Sequence, residues 1–511
     1  MPWFSYPALR ASGRTDRRGH VGDFDVVLVS GDAYVDHPSF PTAVIARLLE
    51  HAGLTVAVIA QPDWQSEEDI RAFGRPRLFF GVTAGSMDSM VANYTSMRFP
   101  RKEDRLSPAG RAGLRPRRAV MVYTQLVRRC FPGTPIVLGG IEASLRRFMH
   151  FDYWENRLRD PMLVDAPADL LIYGTAEAPL LRLVRELQGG RSFSEAARAG
   201  LPQTCLRVPF GQGPELAGSR AQLLPSAAEC RTDPRAFLRL SLALDTAVRP
   251  NGPVLVQPHP KGDIVCFPPT LEMHVEEIRL LSALKFNRRA HPLYTEPIPG
   301  LIPVQFSIQS HRGCAGACTF CALAIHQGRR IRSRSIDDLV REAKAFPTHP
   351  DFRGTIPDLG GPSVNMYGWD CVNDGCDSGV CTHPKRCPNL RGGLKPLVEA
   401  LQAVAAIPGV RHVFLGSGLR YDLIRENDWD DFAIILRHHI SGQLKVAPEH
   451  VSPAVLRLMR KGVGANFPQF VDRFRELTAR LRLPLFLVPY FMTAFPGSVD
   501  EDSLLSQLVR E

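Results

Sequence analysis

The sequence predicts an α/β protein in which two series of parallel strands follow one another. Short apolar runs alternate with helical stretches, most of these runs are unbroken segments of Val, Ile and Leu, and the alternation weakens in mid-chain before it resumes. Unbroken apolar strands are typical of parallel sheets that helices cover on both faces. We expect a doubly wound, Rossmann-like parallel sheet first, followed by a parallel barrel, or part of one, built from repeated βα units.

The first α/β domain is expected at residues 23–190, after a flexible N-terminus at 1–22. Its strands are predicted at "DVVLVSG", "LTVAVIAQ", "RLFFGVTAG", "TPIVLGGIEAS" and "ADLLIYGTAE", which end in small polar or Gly-rich residues. Open α/β sheets bind ligands at these carboxyl ends, although the Gly139-Gly140 pair is also explained by a tight turn between strand and helix. Between residues 191 and 303 prolines gather and the periodicity weakens, which predicts a connecting region.

The second domain is expected at residues 304–511. Its strands are predicted at "VQFSIQS", "GTIPDLGG", "RHVFLGSG", "GQLKVAPEH" and "PLFLVPYFM". In barrels of βα units the chemistry lies at the carboxyl ends of the strands. Cys314, Cys318 and Cys321 directly follow the first of these strands, so we expect them at the catalytic rim.

The composition indicates a soluble, cytoplasmic protein whose cysteines are reduced. The 511 residues include no signal peptide and no apolar run long enough to span a membrane, although the arginines near the start leave an organelle transit peptide as an alternative. The net charge of +10 is spread along the chain, which permits a basic surface but does not predict a nucleic-acid site. Structural disulfides are not expected. The isolated cysteines are expected in the core; they are Cys130, Cys205, Cys230 and Cys266.

The spacing C-x3-C-x2-C indicates a metal or iron–sulfur site. Soft thiolates select zinc, copper(I) or iron–sulfur clusters. A structural zinc ion needs four ligands, so His311 or His326 would have to complete a zinc site here. Three cysteines on a four-iron cluster would instead leave one iron open to a substrate or cosubstrate.

The motif C-x3-C-x-aromatic-C, with Phe320 at the aromatic position, resembles that of the radical S-adenosylmethionine (SAM) superfamily. The resemblance implies an enzyme in which Cys314, Cys318 and Cys321 hold a 4Fe-4S cluster whose open iron chelates the amino and carboxylate groups of SAM. It also implies that the reduced cluster cleaves SAM and that the resulting 5′-deoxyadenosyl radical abstracts hydrogen from a substrate.

Further motifs are similar to those of YgiQ-type radical SAM proteins: "DAYVDHPSF", "AQPDW", "HQGRRIRSRS", "DLGGPSVNMYG", "LGSGLRYDL", "LKVAPEH" and "PYFMTAFPG". The resemblance runs from about Asp23 to the C-terminus. It implies an N-terminal domain of the family's own type, a radical SAM domain and usually a further C-terminal portion; it implies no substrate. Because the chain stops in the helix predicted after the fifth strand, the (β/α)6 barrel is expected to be partial and cut short; the alternative is that the strand count is off by one.

The resemblance places the SAM contacts at the ends of the barrel strands. The GGE-like motif of the superfamily corresponds to Gly360 and Gly361, with Pro362 in place of the acidic residue. The segment 493–497, "TAFPG", is expected on the adenine side. The remaining residues implied to contact SAM are Phe320, Ser417, Arg420, Lys445 and Glu449.

A second group of cysteines lies in a polar insertion at residues 366–392. The four thiols could ligate a second iron–sulfur cluster or a zinc ion, with His383 as a spare ligand. Reduced unliganded thiols and disulfides are the other interpretations. The group consists of Cys371, Cys376, Cys381 and Cys387.

The arginines after the first motif are expected to be solvated or ion-paired rather than to bind an anionic substrate. They precede a helix for which Ser335 is the predicted N-cap, with Asp338 three residues later. These arginines are Arg329, Arg330, Arg332 and Arg334.

Partners and cobalamin follow from the resemblance. It implies a flavodoxin- or ferredoxin-class electron donor. The first domain resembles cobalamin-binding sheets more distantly, but the D-x-H-x2-G motif is absent, since Asp36 and His37 are adjacent. Cobalamin is therefore not expected, although binding without a histidine ligand stays open.

Two other functions are alternatives to a radical SAM enzyme of unknown substrate. One is a tRNA-modifying enzyme such as a methylthiotransferase, for which no RNA-binding module is found; the other is a non-catalytic iron–sulfur redox or sensor protein.

Overall fold

The computed structural model folds into two units, residues 1–305 and 306–511. Each unit has its own hydrophobic core. The boundary between the units lies close to the predicted start of the second domain at 304. The residues described are 3–5, 24–247, 249–373, 376, 380–462, 466–498 and 501–503.

In the described part of the first unit, ten strands form one central sheet. Including four strands that pair outside this sheet, the described strands of the unit are β1 (Trp3–Ser5), β2 (Val26–Ser30), β3 (Val35–Asp36), β4 (Val56–Ala60), β5 (Phe79–Thr83), β6 (Ile136–Leu138), β7 (His150–Asp152), β8 (Arg157–Arg159), β9 (Leu170–Ile172), β10 (Thr204–Val208), β11 (Ala221–Leu223), β12 (Val254–Gln257), β13 (Asp263–Cys266) and β14 (Arg289–Ala290). The sheet order is β1-β4-β2-β5-β6-β9-β10-β13-β12-β11, while β3 pairs with β14 and β7 with β8.

Helices connect most of these strands. Two of them begin with capping boxes, in which Ser192 and Glu195, or Ser226 and Glu229, satisfy the free N–H groups of the first turn. The helices are α1 (Pro41–His51), α2 (Ser89–Asn93), α3 (Ala119–Cys130), α4 (Gly140–Leu145), α5 (Met162–Asp165), α6 (Glu177–Gln188), α7 (Phe193–Arg198), α8 (Gly213–Ala217), α9 (Ala227–Thr232), α10 (Pro234–Ala247) and α11 (Leu271–Ala283).

The sheet confirms the predicted doubly wound topology. From β1 to β9 all neighbouring strands are parallel. The order β4-β2-β5-β6-β9 means that the chain winds to one side of β2 and then to the other, so the topological switch point lies between β2 and β5. The four isolated cysteines are buried as predicted; they are Cys130, Cys205, Cys230 and Cys266.

The prediction that residues 191–303 form a connecting region is wrong, because this segment adds strands to the sheet. It supplies β10 to β13, and the pairs β9–β10, β10–β13 and β12–β13 are antiparallel. Strands of three to five residues separated by prolines leave too weak a pattern to be read from the sequence. The predicted flexible N-terminus at 1–22 also needs correction, since Trp3–Ser5 pairs in parallel with β4; the remainder of that segment lies outside the described residues.

A buried ion cluster fills the point where this topology would bind a ligand. Doubly wound sheets bind ligands beyond the carboxyl ends of the strands at the switch point. Arg115 lies there, 2% exposed, with Nη2 at 2.8 Å from Asp32 Oδ1 and 3.1 Å from Asp104 Oδ2. Its Nη1 donates to Ala84 O at 2.6 Å, and a Cβ on Gly31 would overlap that same carbonyl oxygen. The small residues at these strand ends therefore serve close packing.

The second unit pairs its strands in chain order, as a barrel of βα units does. Parallel pairs join β15 to β19, β18 to β22 and β23 to β24, and a parallel bridge joins Leu419 to Val446. The strands are β15 (Ile308–Gln309), β16 (His311–Arg312), β17 (Arg332–Ser333), β18 (Thr355–Ile356), β19 (Leu359–Gly360), β20 (Asp370–Cys371), β21 (Leu390–Arg391), β22 (His412–Val413), β23 (Gln443–Glu449) and β24 (Phe486–Phe491).

The helices of the second unit lie between these strands and bury apolar faces in its core. They are α12 (Leu323–Gln327), α13 (Ile336–Ala343), α14 (Lys395–Ala405), α15 (Trp429–His438), α16 (Pro453–Leu458) and α17 (Phe467–Leu481). Within the described residues of both units, no helix is long and apolar enough to cross a membrane.

The buried ion cluster of the first unit gives a stability prediction. Arg115→Met leaves the Asp32 and Asp104 carboxylates without their buried cation, so the free energy of unfolding should fall by about 3–5 kcal/mol. Chemical denaturation of the full chain, followed by circular dichroism, measures this loss. The control is Arg105→Ala, because Arg105 is 64% exposed and lies 4.0 Å from its partner Glu103; its effect should stay within about 0.5 kcal/mol. Equal effects would contradict a structural role for the cluster.

Candidate functional site

The three motif cysteines lie in a loop between the two strands of a small hairpin. The strands β16 and β17 pair in an antiparallel manner, and the loop between them carries Cys314, Cys318 and Cys321. Backbone bonds shape this loop, since Cys314 N donates to Gly328 O at 3.2 Å and Cys321 N donates to Cys318 O at 3.1 Å. All three thiols are free and half-buried. The hairpin therefore presents three thiols directly after β15, where they were predicted.

The sulfur atoms of Cys314 and Cys318 lie close to Gly316. A Cβ on Gly316 would lie 3.5 Å from Cys314 Sγ and 3.7 Å from Cys318 Sγ, so both thiols lie within van der Waals reach of this position. The same Cβ would lie 2.6 Å from Arg420 Nη1, which shows that the guanidinium packs directly against the loop. On another side, Cys314 Sγ lies 3.8 Å from Met366 Sδ.

Arg420 is a buried cation beside the thiols. It is 5% exposed, its Nε donates to Asp422 Oδ1 at 3.0 Å, and its Nη2 pairs with the other oxygen of the same carboxylate. Burial raises the pKa of the Cys314 and Cys318 thiols, whereas the positive charge of Arg420 lowers both. Because the thiolate is the ligating form of cysteine, Arg420 favours the form that binds a metal or a cluster.

The three thiols and their surroundings fit the ligand set of an iron–sulfur cluster. Within the described residues, no three His, Cys, Asp or Glu side chains are arranged to hold one ion. A cluster distributes its cysteines over different irons, so its ligands need not converge on one point. The donor set is three thiols, and the Arg420 guanidinium, which packs against Gly316, lowers the pKa of Cys314 against the effect of burial.

The Gly360-Gly361 pair, predicted to approach SAM, has no space for side chains. A Cβ on Gly361 would overlap the imidazole of His311, and one on Gly360 would overlap Ser417 Oγ and the Asp358 carboxylate. His311 is fully buried, and its Nε2 makes no hydrogen bond within the part of the chain described. The motif therefore places backbone groups and one unsatisfied imidazole nitrogen side by side, which suits a polar cofactor.

A carboxylate joins the ends of the second, third and fourth predicted strands. Asp358 accepts hydrogen bonds from Gly416 N at 2.8 Å and Ser417 N at 3.0 Å, and from the Ser417 hydroxyl. Lys445 Nζ donates to Gly416 O at 3.1 Å. Burial raises the pKa of Asp358, while its bonds to Ser417 lower it. Ser417 and Lys445, both predicted to contact SAM, are thus held in one network.

The remaining predicted residues lie on other parts of the rim. Glu449 has a φ of 65° and accepts a hydrogen bond from Lys461 Nζ at 3.1 Å. The rings of Phe320 and Phe495 meet edge to face at 6.5 Å, which brings the cysteine motif and the "TAFPG" segment together. Pro362 is half-buried directly after the glycine pair.

Several residues of the site were not identified from the sequence. Asp422 neutralises Arg420, Asp358 orders the strand ends, Met366 contacts Cys314, and Lys461 lowers the pKa of Cys318. The carboxylates had a usable signal, because each lies two residues from a residue that was singled out. Met366 and Lys461 had none, since their contacts depend on how distant segments pack.

The arginines after the motif are structural. Arg332 and Arg334 are buried; Arg332 Nη2 donates to Gln327 O at 2.6 Å, and Arg334 pairs with Glu342. The predicted ion-paired state is therefore confirmed for Arg334. The predicted cap is also confirmed, since the Ser335 hydroxyl accepts from Asp338 N at 3.2 Å.

A three-cysteine loop after the first strand of a parallel βα series is typical of radical SAM proteins, and comparison with known proteins shows that class. Residues 11–307 match the Radical SAM N-terminal family, and residues 308–506 match the Radical SAM superfamily. The curated relatives that align over most of the chain are UPF0313 proteins. The chain belongs to this UPF0313, or YgiQ-type, family of radical SAM proteins.

The relatives come from archaea and bacteria. The UPF0313 protein of Methanosarcina acetivorans is 41% identical over 508 residues, covering 94% of this chain and 68% of the relative. That of Methanosarcina mazei is 40% identical over 524 residues, covering 96% of this chain and 84% of the relative. That of Geobacter sulfurreducens is 41% identical over 485 residues, covering 94% and 79%.

Solved structures share the fold. The radical SAM methyltransferase TsrM from Kitasatospora setae, with tryptophan substrate and a SAM analogue bound, superposes with a TM-score of 0.52 at 15% identity, covering 94% of this chain and 71% of TsrM. TsrM with cobalamin and a [4Fe-4S] cluster bound gives 0.50 at 14% identity, covering 91% and 66%. At this identity the likeness concerns the fold alone, so the expectation that this chain lacks cobalamin stays a prediction.

The crowded glycine pair gives a prediction with an internal control. Gly361→Ala forces a Cβ into the buried His311 ring, and we expect a loss of about 1–3 kcal/mol in the stability of the second unit. Thermal unfolding of the full chain measures it. Gly418→Ala should be neutral, because a Cβ there would have no neighbour within 4 Å among the described residues. If both variants behave alike, the packing of His311 against the glycine pair is not the constraint described.

Proposed function

We propose that this protein is a radical SAM enzyme that abstracts hydrogen from a substrate whose identity is still open. Cys314, Cys318 and Cys321 hold a 4Fe-4S cluster in this proposal. When bound and reduced, such a cluster supplies the electron that cleaves SAM into methionine and a 5′-deoxyadenosyl radical. Membership of the radical SAM superfamily supports the reaction class.

The observation that carries the proposal is the arrangement around Gly316. Three thiols follow the first strand of a parallel βα series, two of them lie beside a position without a side chain, and Arg420 lies against it. Three cysteines leave one iron of a cubane without a protein ligand, which is where a cosubstrate chelates. A redox or sensor protein would not need the crowded Gly360-Gly361 pair or an unsatisfied His311 nitrogen beside it.

Lys445 is the cation that we assign to the carboxylate of SAM. Arg420 was the other candidate, but its guanidinium is paired on two nitrogens with Asp422 and packs against Gly316. Lys445 donates to Gly416 O, and an ammonium has three donors, so it can bind a carboxylate at the same time. Arg420 then acts as a positioning residue for the cysteine loop.

Cobalamin is not part of the proposal. His37 is fully buried, its Nδ1 accepts from Ser39 N at 3.0 Å, and its Nε2 lies 3.2 Å from Gln305 O. Burial and the charge of Arg288 lower the pKa of His37 to about 3. Both ring nitrogens are engaged, which supports the expectation that His37 does not ligate cobalt, and Arg115 fills the switch point.

The electron source and compartment complete the proposal. We propose a small flavodoxin- or ferredoxin-class donor, because a reduced cluster needs a one-electron donor that the chain does not itself supply. A reducing cytoplasm suits the free thiols. A nucleic-acid substrate has no support beyond the net charge of +10, so a tRNA-modifying role is not proposed.

Loss of the motif cysteines tests the function. Anaerobically reconstituted protein should convert SAM to 5′-deoxyadenosine under a strong reductant. The triple variant C314A/C318A/C321A should lose this activity and about four irons per chain. The matched control is Cys230→Ala, because Cys230 is a buried cysteine of the first unit; it should keep both the iron and the cleavage. A loaded wild type that leaves SAM intact would refute the enzyme proposal.

The role of Lys445 has its own test. Lys445→Met removes a charge-assisted contact with SAM, so the Kd for SAM should rise about tenfold or more. Equilibrium binding to reconstituted protein measures this, with the iron content checked for equality. Lys344→Met is the control, since Lys344 is exposed at the end of α13. An unchanged Kd for Lys445→Met would mean that another group binds the carboxylate.

A further inference from the structure

The insertion at 366–392 brings three of its four cysteines together through its backbone. The strands β20 and β21 pair in an antiparallel manner, with Cys371 opposite Leu390. Leu390 N donates to Cys387 O at 3.1 Å, and Cys387 N donates to Cys381 O at 2.8 Å. Backbone contacts through Leu390 thus link Cys371, Cys381 and Cys387, although the first two are ten positions apart in the chain.

The four thiols are also close enough to interact electrostatically. Burial raises the pKa of Cys381 to about 11, and the neighbouring Cys371, Cys387 and Cys376 contribute to the rise. All four are half-buried, and none of them forms a disulfide. A metal centre bound by these cysteines would stabilise a polar loop that has little core of its own.

The geometry of the group favours a cluster over one zinc ion. Zinc draws four ligands to about 2.0–2.3 Å from a single point. Within the described residues, no three cysteines meet at such a point. The thiols of an iron–sulfur cluster occupy separate irons and are spread around it. His383 is engaged elsewhere, as its Nδ1 lies 3.2 Å from Lys461 O.

We propose that Cys371, Cys376, Cys381 and Cys387 bind a second iron–sulfur cluster. Four protein ligands leave none of its irons open, so this cluster does not chelate SAM and has a structural or electron-transfer role. The proposal goes beyond SAM cleavage and does not depend on it, because its four ligands are different residues from Cys314, Cys318 and Cys321.

The second cluster would lie against the first. Arg420, which packs against Gly316 in the first cysteine loop, has Nη1 at 3.4 Å from Thr382 Oγ1, directly after Cys381. A small apolar cluster that includes Met366 and Trp369 contacts cysteines of both groups, namely Cys314, Cys381 and Cys387. The two centres are therefore expected to interact magnetically when both are reduced.

Metal analysis of three proteins tests the proposal: wild type, the triple variant C314A/C318A/C321A, and the quadruple variant C371S/C376S/C381S/C387S. After anaerobic reconstitution we expect about eight irons and eight sulfides in wild type and about four of each in both variants. The triple variant keeps the insertion intact, so its iron decides the matter even if the quadruple variant does not fold.

The outcomes separate this proposal from that of SAM cleavage. Iron and sulfide retained by the triple variant, with a cluster signal in its electron paramagnetic resonance spectrum after reduction, would support a second cluster whether or not wild type cleaves SAM. Broadening of the wild-type spectrum, absent from both variants, would support adjacency. A triple variant without iron, or one zinc ion per chain lost only in the quadruple variant, would overturn the proposal.

Discussion

The second unit depends on one buried ion pair. A guanidinium removed from water must be neutralised, and Asp422 does this for Arg420 with two of its nitrogens. The same guanidinium packs against the cysteine loop at Gly316 and donates to Thr382 in the insertion. Three segments far apart in the chain thus share one cation. Its charge also shifts two of the thiols towards the form that can bind iron.

Hydrogen bonds within the protein order the strand ends around this pair. Asp358 ties the Gly416-Ser417 turn to the second strand, and Lys445 holds the same turn from the next strand. Such a network fixes the positions of polar groups during folding, so binding a ligand does not need to order them again. The crowded Gly360-Gly361 pair has the same effect, because backbone that cannot carry a side chain cannot shift far.

Features that depend on residues close together in the sequence were predicted correctly, whereas features that depend on tertiary contacts were not. The alternation of apolar strands, the cysteine spacing and the Ser335 cap depend on neighbouring residues, so the doubly wound sheet, the α/β class and the helix start were correct. The segment 191–303 was misread because short strands pair with others distant in sequence. The partners of Arg420 and the burial of Arg332 also depend on packing, which composition and spacing do not report.

The ion cluster of the first unit occupies the ligand-binding position of its sheet. In a doubly wound fold ligands bind at the switch point, beyond the carboxyl ends of the strands. Here Arg115 occupies it with Asp32 and Asp104. A ligand at this point would have to displace the buried guanidinium from both carboxylates. Binding at the switch point of this sheet would therefore carry the cost of leaving two buried carboxylates without their cation.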